Sequence, residues 1–149
     1  MQALITLGAF LLTLGVLVSF HEFGHFLAAR ACGVRVLRFA IGFGKPLLTY
    51  RAPNQTEWVL ASIPLGGYVK LLDGRDRNQV IRQDDRKDAF DHKPLWQRSL
   101  IVAAGPFANF FLAVVLFSVI YVSGVPQLPA VLQNPPENSL AYQLGVSQG

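Results

Sequence analysis

Outside residues 30–98 the sequence has no lysine and no arginine. Residues 3–29 hold one charged side chain, Glu22, and residues 99–122 hold none. At ~1.5 Å rise per residue these two stretches predict helices of about 40 Å and about 36 Å, each long enough to cross a hydrocarbon core of about 30 Å. Only 15% of the chain is charged and 52% is hydrophobic, the profile of a membrane protein rather than of a water-soluble domain. The first stretch also lacks the basic start of a secretory signal, and cleavage at Ala29-Arg30-Ala31 would discard the most informative residues of the chain. Cysteine is nearly absent: Cys32 stands alone, so no intrachain disulfide forms, and a small residue at the cytoplasmic boundary, where thiols stay reduced, accounts for it.

All thirteen basic residues lie between Arg30 and Arg98, against seven acids, for a net charge of +6. The positive-inside rule assigns residues 30–98 to the cytoplasm and puts the N-terminus and the residues after Val122 outside. Topology and contact with anionic membrane lipid explain the basic charge, so nucleic-acid binding is not inferred. The expected architecture is an α-helical membrane protein. Residues 1–29 form a first transmembrane helix, 30–98 a cytoplasmic loop carrying a re-entrant segment and a membrane-associated β-hairpin, 99–122 a second transmembrane helix, and 123–149 an extracytoplasmic segment.

Two of the three histidines sit together in His21-Glu22-Phe23-Gly24-His25. On a helix, positions i and i+4 share a face, so both imidazoles can reach one metal ion, and Glu22 is placed to take a proton from an attacking water. Ionisable groups inside a membrane are costly and mark function by default. Counting back from Arg30, His25 lies about 7 Å and His21 about 13 Å inside the boundary. A hydrolase at that depth needs a route for water. A catalytic zinc also needs a third protein ligand. Ala28 and Ala31 stand where a metzincin has Gly and His, which excludes that class. Glu57 is the candidate for a thermolysin-like arrangement, and His92 lies in a charged connector. Asp73, in Leu72-Asp73-Gly74, has no spanning helix around it and reads as a decoy. The simplest expectation is a ligand beyond residue 149.

Elsewhere, residues 33–49 interleave apolar side chains with Arg35, Arg38 and Lys45, and Gly42-Phe43-Gly44 permits a tight turn. They fit either a surface loop or a loop dipping towards the site. Residues 56–63 and 68–72 read as strands flanking a Pro64-Leu65-Gly66-Gly67 turn, a hairpin or bent ribbon able to add a strand to an extended substrate. Residues 73–94 read as a solvated connector, with Trp96 and Arg98 at the membrane entry of the second helix. In that helix Ala103-Ala104-Gly105 allows close approach of another helix, and Pro106 frees the Val102 carbonyl. Asn109 lies about 16 Å past Arg98, close to the depth of His21. It serves either as an interhelical hydrogen bond or as a substrate contact.

These residues resemble the site-2 protease family of intramembrane zinc metalloproteases. The resemblance rests on His21-Glu22-Phe23-Gly24-His25, Ile41-Gly42-Phe43-Gly44, Ile63-Pro64-Leu65-Gly66-Gly67-Tyr68-Val69-Lys70 and Ala104-Gly105-Pro106-Phe107-Ala108-Asn109-Phe110, in that order. It implies Zn²⁺ on His21 and His25, Glu22 as general base, Gly67, Tyr68 and Val69 in a β-loop that presents substrate as a strand, and Asn109 in contact with substrate or supporting the site. It also implies a third ligand, an Asp on a later transmembrane helix, and reads residues 130–149 as the opening of an extracytoplasmic PDZ-like domain. The implied substrate is a single-span protein of the bacterial inner membrane, such as an anti-sigma factor, or a remnant signal peptide. An inactive scaffold that binds transmembrane helices and a metal transporter are the rivals; neither needs a base beside a histidine ligand.

Overall fold

A computed structural model describes residues 1–76, 83–124 and 139–144. The chain divides into two units, Met1–Leu116 and Phe117–Gly149. In the second, the structure describes the last turns of a long helix and a four-residue helix, Leu140–Gln143, whose N-cap Ser139 hydroxyl accepts a bond from the Tyr142 N–H. The expected start of a PDZ-like domain falls mainly outside the described residues.

The first unit is built on two long helices, α1 (Gln2–Ala31) and α2 (Leu95–Ser123), both long and apolar enough to cross a membrane. Large apolar side chains such as Leu4, Phe10, Leu12, Phe107, Phe110 and Phe111 face outwards on them. Helices with outward faces this apolar suit a lipid surround. Helix α1 ends where Gly33 takes a positive φ of 67°. The Val34 N–H bonds to the Ala29 carbonyl and the Gly33 N–H to that of Arg30, a Schellman cap that seats Val34 and Ala29 in the core. Helix α2 begins earlier than the charge-free run suggests. The Pro94 carbonyl accepts bonds from Gln97 and Arg98, so Trp96 and Arg98 lie in the first turn.

Between the helices run two strands, β1 (Val36–Arg51) and β2 (Glu57–Leu71), paired antiparallel. This corrects the expected hairpin within 56–72. Residues 57–63 and 67–71 do not pair with each other; both pair with β1, so residues 36–51 form a strand and not the expected loop. The chain reverses at residues 52–56 instead, where Gln55 has a φ of 66°. The long ribbon then folds back on itself. Ala40 lies opposite Tyr68 and also Val59, and Ile41 opposite Gly67 and also Leu60. The bend falls at Gly42 and Gly44, with φ of 89° and 88°, and at Gly66. A side chain at Gly42 would run into the Ile63 carbonyl oxygen at 2.7 Å, so the crossing strands need glycine there. Buried Thr56 fastens the fold-back by donating its hydroxyl to the Val36 carbonyl at 3.0 Å.

The core forms where the end of α1, the base of the ribbon and the start of α2 meet: Phe26, Ala29, Val34, Val36, Phe39 and Ile101. The Trp58 ring lies 5.1 Å from that of Phe26 and 4.7 Å from that of Phe39, closing an aromatic cluster. The charged connector is less solvated than its composition suggests. Arg35 pairs with Asp85 at 2.8 Å and Asp88 at 3.4 Å, and Ala89 is fully buried. Gly8 and Gly15 of α1 have nothing within 4 Å of a β-carbon built on them. The close approach occurs at Gly24, which touches the Ala104 carbonyl and the Ala108 methyl group of α2.

Candidate metal centre

The contact at Gly24 sets the site, because it brings α2 against the face of α1 that carries both histidines. His25 Nδ1 lies 2.7 Å from the Ile101 carbonyl oxygen. A carbonyl only accepts, so Nδ1 donates, and the neutral ring presents the lone pair of Nε2. His21 Nε2 lies 3.2 Å from that nitrogen, with the two rings 79° apart. Two nitrogens held at about 2.0–2.1 Å by a tetrahedral zinc stand about 3.3 Å apart. The pair therefore fits two corners of a zinc site, with the outer hydrogen bond that metal-binding imidazoles use to fix their orientation.

Glu22, turned by one residue from His21, faces β2. A β-carbon on Gly67 would lie 3.0 Å from Glu22 Cγ and 2.7 Å from the Ala40 carbonyl oxygen, so only glycine lets the strand come this close. His21, Glu22, Phe43, Gly66, Gly67 and Asn109 line a cleft of about 350 Å³. Asn109 Oδ1 is itself buried and has no hydrogen-bond partner among the described residues. A buried amide oxygen left unpaired is costly.

Of the residues expected at the site, His21, His25, Glu22, Gly67 and Asn109 come together. The side chains of Tyr68 and Val69 do not: the Tyr68 hydroxyl accepts from Arg38 at 3.2 Å, and Val69 packs on the core. Glu57 pairs with Arg38 and His92 lies beside Asp91, so neither joins the histidines. Asp73 is held by Arg75, whose hydrogen bonds keep its carboxyl below the usual carboxylate range. Among the described residues no three His, Cys, Asp or Glu side chains gather as a metal cluster. Sequence reasoning missed the Ile101 carbonyl as the orienting partner of His25. It also missed Gly105, whose hydrogen faces both imidazoles and where a β-carbon would lie 2.7 Å from His21 Nε2. The small-residue run at 103–105 was the available signal, but it pointed to helix packing only.

The model of Peptidase family M50 matches residues 9–146. The chain therefore belongs to the M50 family, the site-2 proteases. Within it, the chain is 47% identical over 143 residues to the regulator of sigma E protease of Haemophilus influenzae, covering 96% of this chain and 32% of that protein. It is 46% identical over 149 residues to protease RseP of Yersinia pestis, covering 100% of this chain and 33% of that one. The regulator of sigma-E protease RseP of Salmonella typhimurium is 47% identical over 143 residues, or 96% of this chain and 31% of the relative. The chain thus resembles part of the bacterial regulator of sigma-E protease and spans about a third of the length of these curated relatives.

Proposed function

We propose that this chain carries the zinc-binding and proton-transfer half of an intramembrane metalloprotease that cuts single-span proteins of the bacterial inner membrane. The observation that carries the reading is the convergence of His21 and His25 Nε2 at 3.2 Å, with Glu22 lining a cleft bordered by Gly66 and Gly67. His21 and His25 would hold zinc, and the third ligand comes from outside the described residues. Bound zinc would supply a Lewis acid that polarises the scissile carbonyl and makes water nucleophilic near neutral pH. Glu22 takes the proton of the attacking water and delivers it to the departing amide nitrogen. The hydrogen bond to Ile101 keeps His25 in one tautomer and one orientation throughout. The Asn109 side chain, which borders the cleft, steadies the site or the substrate backbone.

A transmembrane helix hides its peptide bonds in its own hydrogen bonds, so it must unwind before it is cut. The outer edge of β2 beside Glu22 offers main-chain partners for the unwound segment, as strand addition does elsewhere. Gly66 and Gly67 leave that edge without side chains, which suits recognition of backbone rather than of sequence. The names of the relatives, regulators of sigma E, support an anti-sigma factor as substrate. The confinement of lysine and arginine to residues 30–98 supports a cytoplasmic ribbon and an N-terminus outside.

The test is cleavage of a labelled single-span substrate by the full gene product in proteoliposomes, before and after zinc removal by a chelator. Cleavage within the spanning segment, lost with the chelator and restored by Zn²⁺, is the expected result. Substrate binding without cleavage under any metal condition would favour an inactive scaffold.

A further inference from the structure

Arg38 touches neither a histidine nor Glu22, yet it is joined to the cleft by an unbroken run of contacts. Its Nε donates to Glu57 and its Nη1 donates to the Tyr68 hydroxyl at 3.2 Å. Arg38 itself lies opposite both Glu57 and Lys70, at the crossing where the ribbon folds back. The Tyr68 ring stacks on Phe43, with centroids 6.5 Å apart and planes 13° apart. Phe43 lies so close over Gly66 that a β-carbon there would enter its ring. Phe43, Gly66 and Gly67 in turn form one wall of the catalytic cleft. Inside the folded ribbon is a cavity of about 180 Å³ lined by Arg38, Glu57, Phe43 and Tyr68 among others. Once its hydroxyl is released, the Tyr68 ring has space to shift into, and the strand edge beside Glu22 shifts with it.

We propose that Arg38 is a positioning residue for substrate: through Tyr68 and Phe43 it fixes the edge of β2 along which the unwound segment lies. The proposal rests on the protease reading and adds a residue outside the catalytic motif on which substrate affinity depends. Arg38 acts on where the strand stands and not on the metal ligands, so its loss weakens substrate binding and leaves zinc in place. A lysine carries all its donors on one nitrogen and lacks the planar fork, so it matches the Nε and Nη1 contacts only in part.

The experiment measures the Kd of a fluorescent single-span substrate for the full gene product carrying Glu22→Gln, which holds substrate without cutting it. Arg38→Gln, Tyr68→Phe and the double variant are compared in that background, with zinc per chain measured on each. Each single change raises Kd about fivefold, the scale of one hydrogen bond, and the double change raises it no further. Zinc content stays at the parent value, and Arg38→Lys falls between parent and Arg38→Gln. Tyr68→Phe removes one oxygen only, so it tests the link even where Arg38→Gln fails to fold. An unchanged Kd in Tyr68→Phe, multiplicative effects in the double variant, or loss of zinc in parallel with affinity would overturn the proposal. Failure of the Glu22→Gln parent to bind any transmembrane substrate would instead sink the protease reading, and the role of Arg38 with it.

Discussion

Gly105 of α2 lies directly beneath His25 of α1, and a β-carbon built on Gly105 would overlap the imidazole at Nε2. The hydrogen of one glycine is thus what leaves room for both rings. Alanine favours a helix over glycine by about 1 kcal/mol, so Gly105→Ala should not unfold α2. It should push the imidazoles out of register and lower zinc affinity by about 10- to 100-fold, the range seen when the supports of metal ligands are disturbed. Competition with a chromogenic chelator measures this; unchanged zinc affinity would mean that the rings do not act as a pair.

Gly67 tests the other wall. Valine there would collide with the Ala40 carbonyl and with Glu22 Cγ, moving β2 away from the base. Gly67→Val should cut cleavage of a transmembrane substrate at least tenfold, the cost that small displacements impose on a positioned reaction, while zinc content stays unchanged. Loss of zinc in this variant would show that the strand supports the metal and not the substrate.

The histidine pair was legible in sequence because the i, i+4 spacing acts within one helix, whatever else the chain does. Gly105 and the Ile101 carbonyl were not, since their roles depend on how α2 docks at Gly24. The ribbon was half legible. Residues 57–63 and 67–71 lie in strand β2, but Gly66-Gly67 reads equally as a reversal or as a bend, and only the distant partner β1 decides between them. The alternation of β1 is masked by Gly42, Gly44 and Pro46, the residues that let it fold over. The family resemblance puts Tyr68 in the substrate-presenting loop, yet along a strand successive side chains alternate in direction, so Gly67 faces Glu22 and Tyr68 faces Arg38.

Asp73 provides a negative control. Its carboxyl is held below the usual range, chiefly by hydrogen bonds from the Arg75 side chain. A depressed folded pKa means that the contact contributes fully above the unfolded value of 3.8 and is lost as pH falls through the folded value. Any effect of this pair is confined to acid solution. At pH 7, Asp73→Asn should leave zinc content unchanged and cleavage within about twofold of the parent, in keeping with an exposed ion pair. Loss of zinc in Asp73→Asn would make Asp73 the third ligand.

The proposed mechanism makes Glu22 the general base. Glu22→Gln keeps the shape of the side chain and removes its basicity, so zinc and substrate should bind while turnover falls by about 10²- to 10⁴-fold. Residual cleavage above a tenth of the parent rate would assign the base elsewhere.

The most direct measurement is zinc per chain together with cleavage of a transmembrane substrate, on the full gene product and on His21→Ala, His25→Ala and Glu22→Gln. The account predicts one zinc and cleavage in the parent, one zinc without cleavage in Glu22→Gln, and neither in the histidine variants. Histidine variants that hold zinc and cut the substrate would contradict it.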